Sequence, residues 1–279
     1  MKRRKLHNYV LLNLLLALFL TIGIHEVLTI GGFARLNEDT VTSDGFRRQT
    51  LNEEFLNYIQ NTKDPGKDLG LYLLETDFGK KPLKTVPDKQ VLYEMEKKWA
   101  GREGWDAYLA QCRGIWNDVR YFPIPEPAGS KDYGTSFVDS WMFERSYGGK
   151  RGHEGTDIMA EENTRGLYPV VSMTDGVVRH KGWLEQGGWR LGIVAPGGTY
   201  FYYAHMDSYA DIEEGDTVRA GDLLGYMGDT GYSKTEGTTG NFPVHLHVGI
   251  YIFHGEEEIS VNPYWVLKYL ENRKIKCVY

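Results

Sequence analysis

Between Gly129 and Gly255 the chain places 23 of its 33 glycines, and the apolar stretches they separate are short. Glycine at that density opposes helix formation and supplies the backbone conformations of tight turns. This half of the chain is therefore expected to fold as many short strands. Residues 170–180, 189–195, 199–206 and 244–253 read as strands, and no long amphipathic pattern interrupts them. A mainly antiparallel β domain over 122–265 follows, beginning where Phe122-Pro123-Ile124-Pro125-Glu126-Pro127 breaks the preceding pattern. Pro263 to Leu270 predicts a short helix, so residues 266–279 form its end and a polar tail.

Upstream the periodicity changes. Leu51, Phe55 and Ile59 recur at helical spacing, a second helix is expected around Asp68 to Glu75, and Pro87 opens a third with Val91, Met95 and Trp99 on one stripe and Leu92 beside it. Trp105, Leu109, Cys112 and Trp116 mark a fourth. Residues 47–121 are thus expected to be a small helical spacer or cap, joined through a flexible linker, 31–46, to a different kind of segment.

That segment opens with Lys2, Arg3, Arg4 and Lys5 and continues as an apolar run from Tyr9 to Ile24. If the helix runs from Val10 to Ile30 it spans about 32 Å, enough for a bilayer core. The expectation is a cytoplasmic basic flank and transmembrane anchor over residues 1–30, with the remainder held outside a cell membrane in a single-pass topology. A cleaved signal ending near Gly32-Phe33-Ala34 and a buried helix are the alternatives.

With 279 residues, one or two domains are expected. A net charge of -6 gives no reason to expect a nucleic-acid partner. Two cysteines cannot build a disulfide scaffold or an all-thiolate zinc site, so any metal must rest on histidine and carboxylate. Cys112 falls on an apolar stripe as a buried thiol; its pairing with Cys277 stays open.

Four of the eight histidines stand out: His153, His205, His245 and His247. His153-Glu154-Gly155-Thr156-Asp157 offers an imidazole and a carboxylate about a turn-forming glycine, donors that suit zinc, whose catalytic sites take three protein ligands and keep one position open. Two neutral imidazoles and one carboxylate leave such a site at about +1, still electrophilic. In His245-Leu246-His247 both rings face one side of a strand, so one can reach a metal and the other its water. A helical His-Glu-x-x-His site is excluded because Asp157 stands where the second histidine belongs and Gly155 opposes the helix. Glu154 thereby loses an automatic role as general base.

These segments, with Tyr203-Ala204-His205-Met206 and the turns from Gly215 to Gly231, resemble the M23 zinc metallopeptidases, the lysostaphin and LytM type of cell-wall endopeptidase, over roughly residues 120–265. The resemblance implies an antiparallel β catalytic domain of that type. It also implies one Zn2+ per chain held by His153, Asp157 and His247, with His205 and His245 serving the reaction, and peptidoglycan peptides as substrate. Gly237 to Val244 departs from the family's usual Ser-Thr-Gly-Pro run before His-x-His, and Val248 and Met206 replace its commoner Phe and Leu. These departures bear on cleft shape and specificity. Residues 36–120 resemble no recognised family.

The other histidines are expected elsewhere: His7 and His25 beside the apolar run, His180 and His254 exposed. Tyr203 alternates onto the face of His205, where it either hydrogen-bonds a transition state or lines the cleft, and it takes no catalytic assignment. No glycosidase carboxylate pair, phosphate loop or Gly-x-Ser-x-Gly elbow can be read. The turns of Glu214 to Gly225 resemble those of biotinyl carriers, but no lysine lies between Lys181 and Lys234 to be modified. The expected function is zinc-dependent hydrolysis of peptide bonds in peptidoglycan stem peptides or cross-bridges. The alternative is a catalytically silent ectodomain of the same fold, serving as a structural or regulatory protein partner in an envelope or sporulation complex.

Overall fold

A computed structural model describes residues 11–23, 35–129 and 133–279. Among the described residues six α-helices follow Arg35: α1 (Asp44–Arg47), α2 (Glu53–Ile59), α3 (Pro65–Glu75), α4 (Lys89–Trp99), α5 (Trp105–Trp116) and, near the C-terminus, α6 (Tyr264–Leu270). Their starts are written in the sequence. Asn52, Asp64 and Asp88 each accept a first-turn backbone N–H, and Pro65 stands where no N–H is needed. In α4 the buried side chains are Leu92 and Trp99, whereas Val91 is 44% exposed, so the inward stripe is rotated from the expected one.

The fourteen strands are β1 (Glu126–Pro127), β2 (Thr135–Phe137), β3 (Glu144–Arg145), β4 (Arg151–Gly152), β5 (Thr156–Ala160), β6 (Pro169–Val171), β7 (Gly176–Leu184), β8 (Gly188–Val194), β9 (Tyr200–Tyr209), β10 (Thr217–Val218), β11 (Leu223–Met227), β12 (His245–His254), β13 (Glu257–Val261) and β14 (Lys276–Cys277). Ten form one sheet with the path β10-β7-β8-β9-β12-β5-β2; β13 joins β12, and β11 joins β9 and β6. Every pairing is antiparallel except β1 with β14. The run 170–180 is two strands, not one. Between them the Ser172 hydroxyl donates to the Thr174 carbonyl and the Met173 N–H donates to the Tyr203 hydroxyl, local bonds that replace the ladder.

Strand β12 shows how the sheet sorts its residues. Leu246, Val248, Ile250 and Ile252 are fully buried in the core, and the alternate positions His245, His247, Gly249 and Tyr251 lie on the opposite face. The core is continuous with the helical region. Arg47 donates to Ser260, Asp118 accepts the Gly197 N–H, and Trp116 is buried against Tyr269 of α6. Within the segment read as a flexible linker, Leu36, Val41 and Phe46 are buried, so its described part is packed. Cys112 and Cys277 are both free, and burial pushes the Cys112 thiol up to about 12.

The expected transmembrane anchor is corrected, and with it the membrane as partner and the single-pass cell-membrane location. Among the described residues no helix is long and apolar enough to cross a membrane. Residues 1–10 and 24–34, with His7, His25 and the Gly32-Phe33-Ala34 run, lie outside the described residues.

Candidate metal centre

Three adjacent strands assemble the site. In the ladder His247 of β12 lies opposite Asp157 of β5 on one side and Ala204 of β9 on the other. His153 enters from the segment preceding β5, across Gly155. A Cβ at Gly155 would stand 2.5 Å from His247 Cε1 and 2.6 Å from its Nε2, so the missing side chain is what lets the ring approach.

The result is a triangle of donor atoms. His153 Nε2 lies 2.9 Å from His247 Nδ1 and 3.0 Å from Asp157 Oδ1, and the third edge, His247 Nδ1 to Asp157 Oδ1, is 3.1 Å. A tetrahedral zinc with ligands at about 2.0–2.1 Å requires edges of about 3.3 Å. The set fits: three convergent lone-pair donors, two nitrogens and one oxygen, at nearly the required spacing. Their orientation is fixed from behind. His153 Nδ1–H donates to the Ser140 carbonyl at 3.1 Å, committing Nε2 to the triangle, and Arg145 Nη2 donates to Asp157 Oδ2 at 2.6 Å, committing Oδ1. Burial alone would raise the Asp157 carboxyl, but bonds with His153 and His247 outweigh it and hold the group well below the usual carboxylate range.

His205 and His245 stand beside the triangle with their ring centroids 4.7 Å apart, and His245 Nε2 is 3.9 Å from Asp157 Oδ1. Each donates Nδ1–H to a backbone carbonyl at 2.7 Å, His205 to Thr230 and His245 to Pro243, which leaves both Nε2 atoms as acceptors. Burial, with the neighbouring His245 and His247, pushes the His205 imidazole well below its usual range, and burial lowers His245 despite Asp157. Both rings are neutral at neutral pH. The segment 237–244 places Phe242 against them, with centroids 4.6 Å from His205 and 5.0 Å from His245.

His205 sits in β9 at φ +61°, inside a bulge where Leu191 pairs with Tyr203 but Trp189 pairs with Met206. The extra residue reverses the alternation. Tyr203 is fully buried on the core side, and Tyr202, which simple alternation turns away from His205, lines the cleft. The cleft, about 330 Å³, continues from the triangle past Tyr202, Tyr200 and Tyr251. Their side chains lie over glycines of β8, of β12 and of the turn before β8: a Cβ at Gly192 would strike the Tyr200 ring, one at Gly249 the Tyr251 ring, and one at Gly187 the Tyr202 hydroxyl. Burial keeps all three phenols protonated, with Tyr200 pushed up to about 12. His180, expected to be exposed, is half-buried and lines the far end of the cleft, while His254 is exposed. Among the described residues no cleft-lining side chain comes from the helical region.

All five expected residues therefore meet at one place. Those missed were Tyr202, hidden by the bulge, and Arg145 and Ser140, whose contacts leave no pattern in the sequence. Tyr251 was readable as the position four beyond His247 on the same strand face.

Residues 151–263 match the model of peptidase family M23, and residues 31–118 match that of the LytM N-terminal domain. The L-Ala--D-Glu endopeptidase of Bacillus subtilis (strain 168) is 44% identical over 144 residues, 51% of this chain and 41% of that protein. Glycyl-glycine endopeptidase ALE-1 of Staphylococcus capitis is 30% identical over 128 residues, 43% of this chain and 32% of that protein. The chain thus spans less than half the length of these curated relatives. A crystal structure from Ruminococcus gnavus ATCC 29149, provisionally named a glycyl-glycine endopeptidase lytM, is 60% identical with a TM-score of 0.84, covering 89% of this chain and 98% of that one. That agreement extends through the helical region as well as the sheet, and together with the His153, Asp157 and His247 triangle it places the chain in peptidase family M23 of the LytM type.

Proposed function

We propose that this chain is a zinc-dependent endopeptidase that hydrolyses peptide bonds in peptidoglycan stem peptides or cross-bridges. The observation carrying this reading is a metal-binding triangle with two neutral imidazoles beside it, both held with their acceptor nitrogens free. His153, Asp157 and His247 would hold the ion, and zinc bound there supplies a Lewis acid that acidifies water and polarises a peptide carbonyl.

The chain's own residues handle the protons. His205 and His245, neutral and with Nε2 unprotonated, are suited to accept a proton from the attacking water and return it to the leaving amine. The two share that work in this proposal, without a division of labour. Tyr202, kept protonated by burial, is a donor beside the same cleft for the oxygen on which charge develops. Residues 122–265 carry the chemistry, and residues 47–121 buttress the sheet away from the cleft. The names of the Bacillus and Staphylococcus relatives, which specify peptide bonds, support this substrate class.

The test is zinc content and the release of new amino termini from purified peptidoglycan by the full chain. Folded, zinc-loaded protein that leaves chemically different mureins intact overturns the proposal.

A further inference from the structure

Two cations in the cleft have no salt-bridge partner among the described residues. Arg151 of β4 and Arg190 of β8 both line it, and Arg151 Nε and Arg190 Nη1 are buried without a hydrogen-bond partner. Arg145, by contrast, is paired with Asp157 at 2.6 Å. A buried guanidinium N–H has lost its water and ordinarily regains that bond from an acceptor. Among the described residues nothing accepts from these two nitrogens.

Their placement says where the acceptor would come from. Arg190 lies across the ladder from the bulge that carries Ala204 and His205, and Arg151 precedes His153 by two residues. Both charges act on Tyr202, next to the metal triangle. Glu154 and Glu258 also border the cleft but are exposed and act on Tyr251, whose ring centroid is 6.2 Å from that of Tyr202.

Resting on the endopeptidase reading, we infer that Arg190 and Arg151 form a carboxylate-recognition subsite, so that the cleft selects peptides with a free carboxylate beside the scissile bond over neutral ones. A planar guanidinium matches a carboxylate through paired N–H donors. An α-carboxylate left free where the chain continues through an acidic side chain has that chemistry, and an oligoglycine bridge does not.

The test uses the full, zinc-loaded chain and a matched pair of stem peptides, one with the free carboxylate and one with the isosteric carboxamide, beside pentaglycine. The carboxylate peptide is expected to be cleaved about 10–100-fold faster in kcat/KM, with a ratio that shrinks in high salt. Arg190→Gln should bring the ratio towards one, Arg151→Gln should reduce it, and Arg190→Lys should retain part of it. Calorimetry of the same peptides on metal-free full chain gives a readout independent of turnover, and the carboxylate form should bind more tightly. Equal cleavage and equal binding of the matched pair overturn the subsite and leave the endopeptidase standing. Failure to cleave any peptide, with the binding preference intact, overturns the endopeptidase and leaves the subsite.

Discussion

Replacing Gly155 with alanine adds one methyl group at the point where the first motif passes over His247. Gly155 has no positive φ, so the cost is steric. The new Cβ would stand 2.5 Å from both His247 Cε1 and the Val248 carbonyl oxygen, where ordinary contact begins at 3.4 Å, and something must retreat by about 0.9 Å. The carbonyl is fixed in the ladder, so the ring moves most. Metal sites tolerate displacements of about 0.5 Å, and the donor triangle has edges of only 2.9 to 3.1 Å. Loss of a supporting contact usually weakens metal binding about 10–100-fold; displacing a ligand itself should exceed this, at least about 100-fold. Overpacking should cost a further ~1–3 kcal/mol of stability. Chelator competition measures zinc affinity, and circular dichroism confirms the fold. Gly192→Ala, which meets the Tyr200 ring and no ligand, is the control and should retain zinc. Wild-type affinity in folded Gly155→Ala would refute the steric account of this site.

Alanine at His153, Asp157 or His247 should abolish zinc retention, whereas alanine at His205 or His245 should leave zinc bound and suppress hydrolysis; metal analysis beside activity separates the two sets. Zinc loss with His245→Ala and retention with His247→Ala would mean that their roles are exchanged. Arg145→Met frees Asp157 Oδ2 from its 2.6 Å bond and should weaken zinc about 10–100-fold. Tyr203→Phe removes the acceptor of the Met173 N–H, costing about 1–3 kcal/mol by denaturant titration, with zinc affinity unchanged. In metal-free protein His205, His245 and His247 have pKa values depressed below 6.5. The unfolded chain then takes up protons that the folded one refuses, so their stabilisation is full above about pH 6.5 and is lost as pH falls through the depressed values. A Tm that stays flat or rises from pH 7 to 5 would contradict this.

The β domain and the shared face of His245 and His247 were legible from a two-residue period, with Leu246, Val248, Ile250 and Ile252 on the core side of β12; the choice of His153, Asp157 and His247 as ligands came from the resemblance to the M23 peptidases. Tyr203 was misplaced because a single left-handed residue, His205, resets that period, and a histidine carries no composition signal for a bulge. The rotated stripe of α4 has a similar origin. Val91 and Leu92 are equally apolar, and only the neighbouring α3 decides which turns inward. The reading of residues 9–30 as a spanning helix took length from hydropathy, and among the described residues no helix is long and apolar enough to cross a membrane. Arg145 and Ser140 were beyond reach, since neither a salt bridge across β3 and β5 nor a backbone carbonyl leaves a periodic trace.

The glycines beneath Tyr200, Tyr202, Tyr251 and His247 bear on whether this chemistry is portable. Gly192 and Gly249 are notches in β8 and β12, Gly187 and Gly155 lie in the turns just before β8 and β5, and each leaves room for an aromatic side chain. Cleft depth is consequently set by β8 and β12 together with the turns that enter β5 and β8, and exchanging the other loops would reshape the walls of the trench without raising its floor. Grafting only His153, Asp157, His205, His245 and His247 onto an unrelated antiparallel sheet would reproduce the donors on a surface with no recess. The minimum transferable unit includes the absences at 155, 187, 192 and 249 as well as the five side chains.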